Sequence, residues 1–209
     1  MPTTSPNKLK PRKTPTQSRS RVTVDAIFEA TIQVLLKQGM AGLTTSSVAE
    51  RAGVSVGTMY QYFPNKQALV YALNERFLTR LAENVEDTCA LAAGRPASVA
   101  AEALIDTYWS VKTERMELTH ALYRSVAELD NEALVHDFAA RVDRATRGMF
   151  RESPDLHAED VDRINLSLTT VIYGTVRNAF ERGLDQENIS ALKSELKAMC
   201  RAYLASAAK

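Results

Sequence analysis

"AGVSVGTMYQYFPNK", residues 52–66, sets two glycines, three aromatic residues and a lysine side by side. A stretch that only built a core would not need so many polar-tipped rings beside small residues. Gly53 permits a left-handed turn between two short helices, and Ala52 is small where they must approach. Val48, Val54, Met59 and Phe63 are the expected apolar pins beneath the turn. Thr44 caps a helix over 45–52, Gly53 ends it, and Ser55 caps the next over 56–63. Pro64 stops that helix, because the residue before a proline avoids the α region.

Val56, Gly57, Thr58, Gln61 and Tyr62 are left on the outer part of this helix. Its N-terminus presents free N–H groups and a positive dipole end, which favour a phosphate. Gly57 and Thr58 are small enough for deep entry into a major groove. Thr58 and Gln61 can hydrogen-bond base edges, and Val56 suits a thymine methyl. Tyr60 and Tyr62 carry phenols that reach phosphates, and Lys66 follows at the start of the next helix.

Charge is split along the chain. Residues 1–76 hold ten Lys/Arg against four Asp/Glu, a balance of +6, and residues 77–209 hold sixteen against twenty-one, a balance of −5. A basic part that meets a polyanion and an acidic part that does not fit this split. Residues 1–22 contain four prolines and six Lys/Arg with no acid. Such a segment cannot bury enough to fold alone. It reads as a flexible basic arm, either solvated or following phosphates into a minor groove.

The rest of the chain reads as helix. An apolar stripe through Ile27, Thr31, Val34 and Leu35 spans 24–39, with Thr23 as cap and Gly39 as stop. Further helices are expected over about 65–93, 98–113, 117–129, 131–152, 158–182 and 189–206. Leu69, Leu73, Phe77 and Leu81 mark the first of these. Val161, Ile164, Leu168, Val171, Thr175 and Ala179 mark that of 158–182. No alternating strand pattern or internal repeat occurs. The fold class is all-α with about nine helices.

Residues 43–69, "LTTSSVAERAGVSVGTMYQYFPNKQAL", resemble the DNA-binding signature of TetR-family transcriptional regulators. The likeness covers the Thr-Thr start, the Ala49 and Ala52-Gly53-Val54-Ser55 turn, Gly57, the Tyr60-x-Tyr62-Phe63 run, Asn65-Lys66 and Leu69. It implies DNA-contact positions at Thr45, Ser46, Ser55, Val56, Gly57, Thr58, Tyr60, Tyr62 and Lys66, with Gln61 setting sequence preference. It further implies a helix-turn-helix domain over 23–66 and a larger helical ligand-binding and dimerisation domain over 67–209. The implied function is repression from a near-palindromic operator bound as a homodimer and released by a small molecule. The long helix over 65–93 would carry the switch.

On that premise the dimer would form through the last two helices. Leu192, Leu196, Met199 and Tyr203, spaced 4, 3, 4, form a coiled-coil-like seam, with Leu168, Ile172 and Thr175 facing it. A ligand pocket between helices would draw on Tyr108, Trp109, Met116, His120, Tyr123, Phe138, Thr170 and Tyr173. Most have an apolar body and a polar tip, so the expected effector is apolar or aromatic.

Other classes fit less well. No Ser/His/Asp order, HExxH, CxxC or phosphate-binding glycine loop occurs, so no enzyme, catalytic residue or cofactor is expected. His120, His136 and His157 lack metal-ligand spacing. No apolar run is long enough for a membrane span and no secretory signal is read, which places the chain in the cytoplasm. Cys89 and Cys200 do not read as a disulfide framework. The alternative keeps the fold but makes DNA binding constitutive, or answers to a protein partner or to oxidation of Cys89 or Cys200.

Overall fold

Short polar side chains start the helices around the turn. Thr44 and Ser47 exchange bonds in a capping box: the Ser47 N–H donates to Thr44 Oγ1 at 3.0 Å and the Thr44 N–H to Ser47 Oγ at 3.2 Å. Ser55 Oγ accepts from the Thr58 N–H at 3.0 Å, and Asn65 Oδ1 from the Ala68 N–H at 2.7 Å. Each satisfies a donor that the first helical turn leaves open.

The structure is a computed structural model that describes residues 18–126 and 130–207. Among these it has nine α-helices and no strand, as the sequence leads one to expect. They are α1 (Ser18–Gly42), α2 (Thr45–Ala52), α3 (Val56–Tyr62), α4 (Lys66–Ala92), α5 (Ala97–Glu114), α6 (Met116–Val126), α7 (Glu132–Arg151), α8 (Val161–Glu181) and α9 (Gln186–Ala207). Most of the expected basic arm lies outside the described residues, but 18–22 already belong to α1. Thr23 is therefore inside that helix and does not cap it. Gly39, with φ 65° and ψ −176°, leaves the helical region as the expected stop requires, and a short further turn of helix follows it to Gly42.

Contacts divide the chain into two units. The first is Met1–Phe77 with Ala121–Asn131; the second is Leu78–His120 with Glu132–Lys209. The division falls inside α4 and α6, whereas the sequence reading sets its boundary at 66/67.

In the first unit Ile27, Phe28, Thr31, Val34 and Leu35 are buried, as the stripe of α1 requires. Leu43, Val48, Met59, Phe63, Leu69 and Leu73 complete the core, with the Phe28 and Phe63 rings 5.6 Å apart. Val54, expected as a fourth pin under the turn, is only half-buried.

In the second unit α5 packs on α9, and α8 packs on both α7 and α9. The N-terminus of α5 is capped from afar. Its Ala97 N–H donates to Asp155 Oδ1 at 2.8 Å, and Ser98, expected to open the helix, makes no cap. The buried line of α8 also differs from the expected one. It runs Val161, Ile164, Leu168, Ile172, Val176 and Ala179, while Val171 is exposed and Thr175 half-buried. Four-residue steps after Leu168 keep the line on the core side; a three-residue step to Val171 rotates off it.

Candidate nucleic-acid interface

The turn between α2 and α3 is fixed by its backbone. Gly53 takes φ 67° and ψ 29°, and its N–H donates to the carbonyls of Ala49 and Glu50. The Val54 N–H then donates to Ala49 O at 3.0 Å. A left-handed residue at this point favours glycine, and the Cβ-free turn sets the angle at which α3 leaves. Val48, Ala49, Met59 and Phe63 hold the two helices together from beneath.

With that side buried, α3 presents Val56, Gly57, Tyr60 and Gln61 outward, positions i, i+1, i+4 and i+5 of one helix face. All four are exposed, Val56 at 44% and Tyr60 at 43%. Ser46 and Ser55 are also exposed, and Thr45, Thr58 and Lys66 are half-buried. Tyr62, expected on the outer face, is buried at 9% against the Phe63 ring, because it lies three residues after the core residue Met59.

Several of these side chains are tied to one another. Thr45 Oγ1 donates to the Tyr60 hydroxyl at 3.2 Å, joining the first turn of α2 to the exposed ring. Thr58 Oγ1 and Ser55 Oγ lie 2.8 Å apart. Lys66 Nζ donates to Met40 O at 3.1 Å, beyond the bend at Gly39, and Arg51 Nε donates to Gln33 Oε1 at 2.6 Å. These side chains are thus held in place by the fold. An ammonium has three donors, so the Met40 carbonyl leaves Lys66 donors to spare.

Gly57 has no internal reason to be glycine. A Cβ there would meet only Ser55 Oγ, at 3.7 Å, which is ordinary contact. Its backbone is helical, and glycine inside a helix costs about 1 kcal/mol relative to alanine.

Seven of the eight expected ligand-lining residues fall in the second unit; Tyr123 falls in the first. Tyr108 and Trp109 are buried, and Tyr173 is half-buried with its ring 4.5 Å from that of Tyr108 and 6.2 Å from that of Phe138. Met116 is half-buried and Thr170 exposed. His120 is held by the fold, its Nδ1 2.7 Å from Phe180 O and its ring on the Phe180 ring. The sequence reading missed Lys112, which is 3% exposed with its ammonium 5.7 Å from the centre of the Tyr108 ring. The only signal was its spacing, three residues after Trp109 and four after Tyr108.

Of the residues expected on the dimer face, Leu168, Ile172 and Leu196 are buried within their own unit. Thr175, Leu192 and Tyr203 are half-buried and Met199 is exposed. Leu166 at 67%, Val171 at 45% and Met199 at 51% are the exposed large apolar side chains of α8 and α9.

Both cysteines are free and buried. Burial pushes the Cys89 thiol up to about 12, and burial also raises Cys200. Both shifts disfavour the thiolate, the form that reacts with oxidants. Among the described residues no group of three His, Cys, Asp or Glu could hold a metal ion, and no helix is long and apolar enough to cross a membrane.

Comparison with known proteins bears on both units. Residues 27–73 match the profile of the family described as "Bacterial regulatory proteins, tetR family", and residues 96–204 match "Tetracyclin repressor-like, C-terminal domain". The HTH-type transcriptional repressor KstR of Mycolicibacterium smegmatis is 40% identical over 70 residues, 34% of each chain. The tetracycline repressor protein class C of Escherichia coli is 44% identical over 55 residues, 26% of this chain and 25% of that one. The matched stretches thus span about a third or less of these curated relatives. A TetR-family transcriptional regulator from Streptomyces coelicolor matches in structure with a TM-score of 0.59 at 27% identity, covering 88% of this chain and 99% of that one. A regulator from Mesorhizobium loti, described as belonging to the same family, gives a TM-score of 0.71 at 17% identity, over 91% of this chain and 98% of that one; at this identity the likeness is one of fold.

Proposed function

Since the chain belongs to the TetR family of bacterial regulatory proteins, we propose that it represses transcription by binding a near-palindromic operator as a homodimer. Release follows when the second unit takes a small apolar or aromatic ligand. The observation that carries the DNA-binding reading is the outer face of α3. It pairs a glycine that the fold does not need with exposed Val56, Tyr60 and Gln61.

Gly57 admits the groove floor, Gln61 and Thr58 read base edges, and Val56 meets a thymine methyl. Tyr60, steadied by Thr45, reaches phosphate together with Ser46, Ser55 and Lys66. Tyr62 takes part through its packing, since its ring supports Phe63. For the homodimer, Leu166, Val171 and Met199 supply exposed apolar surface on α8 and α9, flanked by Thr175, Leu192 and Tyr203. A two-fold pair presents two copies of α3 about one DNA turn apart, ~34–36 Å.

Selection of bound duplexes from a random pool tests this reading. The expected outcome is enrichment of one near-palindromic sequence with half-sites about one turn apart. A pool that stays random after repeated rounds overturns it.

A further inference from the structure

We propose that Arg76 is a positioning residue for operator recognition: held by Asp25 over the Phe28 ring, it fixes the aromatic pair against which α3 ends. This deepens the proposal that α3 reads an operator, and rests on it.

The residues involved all lie within the first unit, on α1, on α4 and at the end of α3. Asp25 and Phe28 stand at i and i+3 of α1, so they share one face of that helix. Arg76, on α4, meets both. Its Nη1 donates to Asp25 Oδ1, and its guanidinium carbon lies 5.3 Å from the centre of the Phe28 ring. The Phe28 ring packs in turn on that of Phe63, with centres 5.6 Å apart and planes tilted by 50°. Phe63 closes α3: it is the C-cap, its N–H donates to Met59 O at 2.9 Å, and it is buried. A continuous series of contacts therefore runs from an α4 guanidinium to the end of the helix that carries Val56, Gly57 and Gln61 on its outer face.

The two members of the ion pair are exposed, and such a pair contributes little to stability by itself. A planar guanidinium on a ring adds a directional contact, and the carboxylate keeps it there. The helix that this arrangement supports has only seven residues, too few to be stable without its packing. Its aim depends on what holds its two ends, the Gly53 turn at the start and Phe63 at the finish. An α3 loosened at its far end samples more directions, and binding must then restore the one that fits the groove.

The test uses the full chain and the duplex that the native protein selects. Arg76→Met and Asp25→Ala should each weaken operator binding roughly threefold to tenfold, the range of one cation–π contact and one exposed ion pair. The salt slope should stay that of the native chain, and helical content and melting temperature should change little. Arg76→Lys, which keeps the charge, should bind more tightly than Arg76→Met. A phosphate contact by Arg76 makes the opposite predictions. Arg76→Met would then lower the salt slope by about one, and Asp25→Ala, by removing a negative charge, would tighten binding. Either of those results overturns the positioning role and leaves DNA binding standing, as does native affinity in both variants. An affinity loss seen only with a large fall in melting temperature marks the pair as merely structural and also overturns it. A native chain that selects no duplex removes the DNA-binding reading itself, and this proposal with it.

Discussion

Lys112 is the residue that sequence reasoning had least chance of placing. A lysine in a helical pattern reads as solvent-facing, and only the packing around α5 shows it buried. Its placement has a measurable consequence for stability. A lysine whose folded pKa is about 7 and whose ordinary value is 10.5 binds more protons unfolded than folded between those limits. Stability therefore rises with pH across that window and is lowest, with respect to this group, below about 7. The raised Cys89 and Tyr173 values act in the opposite sense only above the ordinary thiol and phenol values of 9.0 and 10.0. Denaturant unfolding between pH 7 and 9 should thus show a rise in the native chain that Lys112→Met lacks. Equal stability of the two proteins across this window would contradict a buried Lys112.

At the scale of elements, α2 and α3 were legible because their punctuation is local. Thr44, Gly53, Ser55 and Pro64 act within four residues of the backbone groups they satisfy or restrict. Ser55→Ala should therefore cost about 1 kcal/mol in chemical unfolding by removing the bond to the Thr58 N–H. A loss below about 0.2 kcal/mol would show that the cap contributes nothing. The start of α5 was not legible, since its cap, Asp155, comes from 58 residues away. The course of α8 was only half legible. Both Val171 and Ile172 continue an apolar line at helical spacing, and the choice between them is made by α7 and α9. The same ambiguity sent Leu168, Ile172 and Leu196 to the dimer seam when they serve the core. On α3, the inward turn of Tyr62 follows from Met59, yet a run of alternating tyrosines does not say which ring is packed.

For the whole molecule, the helix-only pattern agrees with the architecture, and the proposed dimer draws on the apolar side chains the subunit leaves uncovered. Leu166 and Val171 lie on the solvent side of α8, so a charge there leaves the subunit core intact. Val171→Asp should convert a dimer of 23.1 kDa chains into monomers by light scattering, with unchanged helical content. It should also weaken operator binding by orders of magnitude, because a single α3 reads only half a site. A dimer that persists in Val171→Asp and Leu166→Asp together would place the interface elsewhere.

The claim on which the account turns is that Gly57 is glycine for the sake of DNA. The direct measurement is binding of the selected duplex to the native protein and to Gly57→Ala, titrated against salt, with the stability of each determined alongside. Gly57→Ala is expected to be more stable by about 0.5–1 kcal/mol, as an added Cβ in a helix should be. It should bind the operator about tenfold or more weakly, the scale of one lost base-pair contact, with the salt slope little changed. A variant that is more stable and binds as tightly as the native chain would contradict the placement of α3 in the groove.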